Sequence, residues 1–329
     1  MPANLTPQYH QAETDYRRAH TAAERVECLE RMLQTIPKHK GTEKLQADLK
    51  TRLKEAKAEQ QTEAKAPKSG KTYRFPRQGA GTVVIIGAPN SGKSRILKEL
   101  TNAEPTVADY PYSTHEPMPG MMPWEDVRVQ LIDTPAIGSG HIEPYLLNFV
   151  RAADAVVLCF DGSSDDAPEQ TAEVLQLLAD RKTRLAEETG LDEQDLGVVR
   201  VRTLLAVTRG SDPDASARLE LFRELMPLPC PVQMVELDDE ASREALRTAI
   251  YKLLGVMRVY TKKPGKPAEY DSPFTIPIGG TVEALALEVH RDLAETLKFA
   301  KVWGTSAHDG QSVGRDHVLC DRDMVELHA

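Results

Sequence analysis

Thr82-Val83-Val84-Ile85-Ile86-Gly87-Ala88-Pro89-Asn90-Ser91-Gly92-Lys93-Ser94 is the stretch on which the reading of the chain turns. A short apolar run feeds a Gly-x-x-x-x-Gly-Lys-Ser turn, and Arg95-Ile96-Leu97-Lys98-Glu99-Leu100 continue it as an amphipathic helix start. A buried strand, a glycine-containing turn and a helix N-terminus in that order make a phosphate cradle. The backbone N–H groups of the loop wrap the anion, and the helix dipole favours its charge. In such a cradle Lys93 neutralises the β- and γ-phosphates, and the Ser94 hydroxyl ligates Mg²⁺. The candidate binding segment is therefore Gly87, Ala88, Pro89, Asn90, Ser91, Gly92, Lys93, Ser94 and Arg95. It implies a bound nucleoside phosphate.

Working outward, Val127 to Ile132 alternates like a strand and ends on Asp133-Thr134-Pro135. A carboxylate at the carboxyl end of a strand beside the loop can hold Mg²⁺ through its water shell. Ala153 to Phe160 reads as a second buried strand, Pro168 to Ala186 as a helix and Arg202 to Val207 as a strand. Helices at Ala215–Leu225 and Ala241–Leu254 complete the alternation. The pattern predicts an α/β fold with a doubly wound, mostly parallel sheet over residues 82–255.

Upstream, Thr6-Pro7 is a helix start, with Thr at the N-cap and Pro at the first helical position. Apolar residues from Tyr9 to Leu33 then recur at steps of mostly three and four, which predicts one long helix. Ile36 to Thr42 stops it, and Leu45, Leu49, Leu53 and Ala56 mark a second helix. Two helices with a short connection predict an antiparallel hairpin over 1–66, followed by a basic linker over 67–81. Downstream, Arg258–Thr261, Pro273–Pro277, Val302–Gly304 and Met324–Leu327 are short strands around a helix capped by Thr281. They predict a small β-grasp domain over 256–329.

The chain has 329 residues, 40% of them apolar and 28% charged, as in ordinary globular proteins. No apolar run approaches the roughly 20 residues needed to span a membrane. The start lacks a signal-peptide pattern, and Cys28, Cys159, Cys230 and Cys320 lack metal-like spacing. These features predict a cytoplasmic protein with reduced packing thiols and no membrane partner. The net charge of −9 is uneven: residues 1–80 hold 16 basic against 10 acidic residues, the remainder 25 against 40. A basic arm on an acidic body suits contact with a polyanion, and equally a solvated helix surface.

Together Gly87 to Ser94, Ala108-Asp109-Tyr110-Pro111-Tyr112-Ser113-Thr114 and Asp133-Thr134-Pro135 resemble the Obg-like GTPases, and among them the developmentally regulated GTP-binding proteins. Arg258 to Gly265, Val302-Trp303-Gly304 and Val313-Gly314-Arg315-Asp316-His317 resemble the TGS domain that closes those proteins. Ile36 to Glu43 is similar to their N-terminal helical region. The resemblance implies a P-loop, Ras-like G domain that binds GTP and GDP with Mg²⁺. It also implies catalytic roles for Lys93 and Thr114, with Ser94, Thr114 and Asp133 around the ion. Thr114 would sit on a switch loop that senses the γ-phosphate. Asn90 stands where cation-dependent members place a potassium-coordinating Asn; the other reading is a loop-stabilising side chain. No Gln occupies the water-positioning place between Asp133 and Gly140, which fits a class that does without it.

The chain also departs from the family. Asp-x-Pro-Gly reads Asp133-Thr134-Pro135-Ala136, and Ala restricts the dihedrals that Gly permits. The guanine-reading Asn-Lys-x-Asp should follow the strand at Leu204–Val207, where the chain has Thr208-Arg209-Gly210-Ser211-Asp212. The expected base site is therefore Thr208, Arg209 and Asp212, with Gly210 absorbing a one-residue offset and Arg209 stacking on the purine. A Ser-Ala base loop is missing after Met234, and Asp161 to Arg202 reads as only a helix and connecting residues, which predicts that the inserted domain of the eukaryotic members is absent. Two classes of function follow. One is a slow GTPase acting on a ribosome, RNA or protein partner through its helical and TGS domains. The other is a nucleotide-binding adaptor with little or no hydrolysis. Within the enzyme class, the altered base motif also admits an ATP-preferring Obg-family enzyme.

Overall fold

A computed structural model of the protein describes residues 5–19, 21–63, 73, 75–103, 116–138, 140, 142–192, 195, 197–267 and 269–329. The chain forms two compact units, neither of them continuous in sequence. The first takes in 1–76, 82–120 and 131–246; the second takes in 77–81, 121–130 and 247–329.

The first unit opens with α1 (Pro7–Arg18), α2 (Ala22–Thr35) and α3 (Glu43–Glu63). Thr6 caps α1 by accepting from the Tyr9 N–H, as its position before Pro7 predicts. The single long helix expected from Tyr9 to Leu33 is instead two. Thr21 accepts from the Glu24 N–H while the Glu24 carboxylate accepts from the Thr21 N–H, a reciprocal cap that starts a new helix. The sequence Thr21-x-x-Glu24 carries that signal, and the apolar periodicity across it masks it.

These helices share one hydrophobic core with the strands of the larger sheet. Tyr9, Leu29, Met32 and Leu49 are buried in the same cluster as Val84, Val156 and Leu158. Arg17 donates to the carbonyls of Arg151 and Ala153 at 3.3 Å, and the Leu191 N–H donates to Glu13 at 2.9 Å. The amino-terminal helices are thus part of this unit's core and not an appendage to it.

The sheet strands are β1 (Thr82–Gly87), β2 (Met118–Trp124), β3 (Val127–Asp133), β4 (Ala155–Asp161), β5 (Thr183–Ala186), β6 (Gly190–Leu191), β7 (Val199–Thr208) and β8 (Val232–Val235). Their order is β2-β3-β1-β4-β7-β5, with β6 and β8 also paired to β7. β1 with β4, β4 with β7, and β7 with both β5 and β8 are parallel. Val83 to Ile86 are fully buried, as a strand covered on both faces requires. The connecting helices are α4 (Lys93–Leu100), α5 (Pro144–Ala152), α6 (Ala167–Asp180), α7 (Ala215–Leu225) and α8 (Glu240–Leu254).

Two expectations are corrected here. The helix predicted to Ala186 ends at Asp180, and Asp161–Arg202 holds β5, β6 and the first residues of β7 besides α6. Thr183 and Leu185 are buried while Arg184 is exposed, so the segment alternates with strand period.

The second unit carries a five-stranded sheet of β9 (Val256–Thr261), β10 (Glu269–Pro277), β11 (Phe299–Trp303), β12 (Gln311–Val313) and β13 (Asp323–His328), in the order β10-β9-β13-β11-β12. β13 runs parallel to β9, and Val282, Leu285 and Ala286 of α9 (Val282–Val289) fill the core over the sheet. α10 (Arg291–Thr296) follows α9. Arg258, only 4% exposed, meets Asp126 and Asp321 at 2.8 Å each and also Glu125. Its guanidinium lies 5.1 Å from the Trp124 ring centroid, and Trp124 stacks on Tyr251 at 3.7 Å.

Candidate functional site

β1 delivers the chain at its carboxyl end to Gly87, and α4 begins at Lys93. The turn between them is held by left-handed backbone at Asn90 (φ 59°) and Gly92 (φ 88°). Asn tolerates that region better than most residues. Gly92 is required twice, because a Cβ there would also meet the Thr208 methyl at 2.9 Å. Lys93 is 6% exposed and curls back over the loop, donating to the Ala88 carbonyl at 2.6 Å and lying 3.4 Å from the Ser91 hydroxyl. Burial pushes its pKa down.

Asp133 ends β3 fully buried, and the Ser94 hydroxyl donates to its Oδ2 at 2.5 Å. Its Oδ1 is buried with no hydrogen-bond partner. Burial raises the pKa of this carboxyl, opposed by the Ser94 bond, by the charge on Lys93 and by the neighbouring Thr134 N–H. A buried carboxylate oxygen without a donor, beside a hydroxyl that follows a phosphate-loop lysine, is a donor set that fits a hard divalent cation such as Mg²⁺. The sequence places Asp133 and Ser94 39 positions apart, and the fold brings them together. Thr114 and the rest of Ala108–Thr114 lie outside the described residues.

The segment after Asp133 returns to the loop through the Ile137 N–H, which donates to the Gly87 carbonyl at 3.1 Å. Ala136 lies on this segment without the positive φ that would require glycine.

At the other end, Thr208 is 2% exposed, and its hydroxyl lies 3.1 Å from the Ser91 carbonyl and 3.2 Å from that of Phe160. It fastens the end of β7 to the phosphate loop. Arg209 (φ 51°) donates to the Asn90 carbonyl at 3.3 Å and pairs with Asp161 at 2.7 Å. The left-handed residue in this turn is thus Arg209, and Gly210, expected to take the special conformation, keeps an ordinary φ.

Asp212 accepts from Arg218 at 2.7 Å and from the Asp214 N–H at 3.0 Å. Those two bonds hold its carboxyl below the usual aspartate range. Ser211 donates instead to Glu236 at 2.7 Å, and Arg95 pairs with Asp238. Ser211, Glu236 and Asp238 were not expected from the sequence. Their signal is faint: a serine at the fourth place of the base motif and carboxylates just past the next strand.

Strand, loop and helix with Lys93, Ser94 and Asp133 so disposed define a P-loop nucleotide-binding protein. Residues 82–189 match the family model described as 50S ribosome-binding GTPase, and residues 257–329 match that of the TGS domain. The chain thus carries a GTPase domain and a TGS domain, and over most of its length it is similar to proteins named developmentally regulated GTP-binding proteins. An uncharacterized GTP-binding protein of Methanocaldococcus jannaschii is 28% identical over 92% of this chain and 92% of its own length. Developmentally-regulated G-protein 2 of Arabidopsis thaliana is 25% identical over 92% and 90%. A GTP-binding protein of Pyrococcus horikoshii, known by crystal structure, covers 75% of this chain and 99% of its own at 15% identity and a TM-score of 0.48. Among the described residues no helix is long and apolar enough to cross a membrane.

Proposed function

We propose that this protein is a Mg²⁺-dependent GTPase of low turnover. The observation that carries the reading is the buried, unpartnered Oδ1 of Asp133, whose Oδ2 holds the Ser94 hydroxyl. Leaving a charged oxygen without a partner costs more than the 1–3 kcal/mol or so of a neutral group, so the site calls for a cation. Ser94, Asp133 and, from the switch loop, Thr114 are the residues to hold it. When bound, Mg²⁺ supplies charge neutralisation on the phosphates. Lys93 exchanges its bond to the Ala88 carbonyl for the β- and γ-phosphates, and the loop N–H groups orient them. Thr114 responds to the γ-phosphate, which makes the switch loop sensitive to hydrolysis. Asn90, exposed on the loop, is available to a potassium ion.

The partner is ribosome- or RNA-associated. Lys50 and Lys54, together with Lys57, which pairs with Glu30 at 2.8 Å, line one groove on α3 with Leu53, Ala58 and Gln61, and Lys50 and Lys54 give the basic charge of this arm a defined face. The description of the matching family model supports the same reading. Contacts of this kind weaken steeply with salt.

Hydrolysis and binding of GTP and ATP, measured in KCl and in NaCl, test the activity. Turnover of GTP with Mg²⁺ is expected, and GTP binding without turnover would establish the second reading, an adaptor. Co-sedimentation of the full chain with ribosomes tests the partner, comparing wild type with Lys50→Glu/Lys54→Glu. Equal co-sedimentation would leave α3 as a solvated surface. These two substitutions leave intact the core that α1 to α3 share with the first unit.

A further inference from the structure

We propose that Glu236, at the carboxyl end of β8, is the group that selects the guanine base, with Ser211 as its positioning residue, and that Asp212 has left this role. The inference rests on the nucleotide site described above.

Parallel register places the relevant ends on one edge of the sheet. Gly87 pairs with Cys159, Asp161 with Thr208, and Thr208 with Val235. The residues that follow, the phosphate loop after Gly87, Arg209 to Ser211 after β7, and Glu236 after β8, therefore emerge together. Ligands of open α/β sheets bind outside the carboxyl ends of the strands.

Side-chain bonds then close these segments around the loop. Thr208 reaches the Ser91 carbonyl, Arg209 the Asn90 carbonyl, and Asp238 pairs with Arg95 on the first turn of α4. The Gly210 N–H donates to the Val235 carbonyl at 3.0 Å, which brings the turn after β7 against the end of β8. Across that contact the Ser211 hydroxyl donates to Glu236 Oε2 at 2.7 Å. Ser211 is the fourth residue from Thr208, the place a carboxylate would hold in Asn-Lys-x-Asp. A carboxylate is present there after all, supplied from the neighbouring strand.

Asp212 is engaged elsewhere. It binds Arg218, which also reaches the Gly162 carbonyl at 2.7 Å and Asp165 at 2.7 Å, and it accepts the Asp214 N–H at the start of α7. This network fastens the turn after β7 to the turn after β4. To meet a base Asp212 would have to abandon both of its bonds.

The chemistry suits Glu236. Guanine presents N1–H and an amino N–H side by side, and one carboxylate accepts both. Adenine presents an unprotonated N1 in that place, which leaves the carboxylate facing a lone pair. Arg209, whose Nη1 meets both Asp161 and the Asn90 carbonyl, leaves the rest of its guanidinium for the purine face.

The test displaces a fluorescent GDP analogue from the full chain with GTP, ATP and XTP in the presence of Mg²⁺. Glu236→Gln replaces two acceptors by one acceptor and one donor. Xanthine, with N1–H beside a carbonyl, matches that pair. The variant is expected to lose GTP affinity by about tenfold or more, as for a charge-assisted bond, and to prefer XTP over GTP. Ser211→Ala is expected to weaken GTP and leave ATP unchanged, with Ser211→Thr restoring GTP. Asp212→Asn is expected to keep GTP ahead of XTP. An unchanged order in Glu236→Gln, or the XTP preference appearing in Asp212→Asn, would overturn the assignment while leaving GTP binding in place. Wild-type protein that takes up neither GTP nor ATP would overturn the nucleotide site itself and this assignment with it.

Discussion

At the phosphate end of the site, Gly87 to Ser94 supply the loop, the cation and the hydroxyl from one unbroken stretch. At the base end, the candidate groups come from three strand ends: Asp161 at the end of β4, Arg209 and Ser211 after β7, and Glu236 after β8. The first arrangement is fixed by local backbone, since the loop needs φ 88° at Gly92 and a helix start at Lys93. The second is held by side-chain bonds between segments, from Thr208 to Ser91, Arg209 to Asn90 and Ser211 to Glu236. A contiguous cradle tolerates little change of residue type. An assembled pocket can move a charge from one strand to its neighbour and keep the same chemistry at the edge.

If the comparison is right, the largest effect lies at the phosphate end. Lys93→Ala should lower nucleotide affinity by about 10- to 100-fold, corresponding to a charge-assisted bond of roughly 1.5–3 kcal/mol. Titration with a labelled nucleotide measures it, and an unchanged affinity would break the distinction between the two ends.

Asp133 comes next. Burial raises its folded pKa above the unfolded value, so the ligand-free fold holds this proton more tightly than the unfolded chain. The stability this contributes is present below the unfolded pKa, about 3.9 for aspartate, and is lost as pH rises through the folded value. Asp133→Asn should flatten that slope. Near neutral pH it should raise the ligand-free Tm by about 2–4 °C, for roughly 1 kcal/mol relieved. It should also reduce the further rise that Mg²⁺ and GDP together produce. Identical pH–Tm curves for wild type and variant would show that the orphaned oxygen carries no cost.

Thr208→Val probes the joint between the two ends. The isosteric change removes one hydroxyl donor from buried carbonyls and should cost about 1 kcal/mol of stability, with a smaller loss in nucleotide affinity. Urea unfolding with an unchanged midpoint would mean that the joint is held by packing alone. The smallest effect on nucleotide affinity is expected at exposed Asn90, where substitution by Ala should cost up to about 1 kcal/mol of stability, because Ala tolerates the left-handed backbone less well than Asn, while removing any advantage of K⁺ over Na⁺ in GTP turnover. Equal turnover in both salts for the wild type would identify Asn90 as a loop former only.

The sequence carried the fold wherever a signal was local and uninterrupted. Val83–Ile86, Ala155–Phe160 and Thr203–Val207 are buried on both faces and read as apolar runs. β2 escaped because Met118-Pro119-Gly120-Met121-Met122-Pro123-Trp124 holds two prolines and a glycine, residues that argue against a strand. α5 was missed because it is only nine residues long from its proline start to its end. The phosphate cradle was legible because its geometry is encoded in consecutive residues. The approach of Ser94 to Asp133 was expected on motif grounds and is a matter of geometry here. The bond from Ser211 to Glu236 joins residues 25 positions apart, and no local pattern announces it. The engagement of Asp212 with Arg218 was hidden in the same way, since a carboxylate near the expected place gives no hint of which partner it will choose.

The cluster around Arg258 bears on what can be inherited, cut or transplanted as a piece. The TGS match begins at residue 257, yet the compact unit containing it also draws on 77–81, on 121–130 and on the end of α8. A fragment starting at 256 would keep Arg258 and Asp321 but lose Glu125, Asp126, Trp124 and Tyr251. A buried guanidinium would be left with one of its three carboxylates and neither of its two aromatic faces. The boundary of shared ancestry and the boundary of physical autonomy therefore differ in this protein. A graft of this domain onto another chain would have to carry the Trp124-Glu125-Asp126 turn with it, or supply a substitute for its charge and its ring.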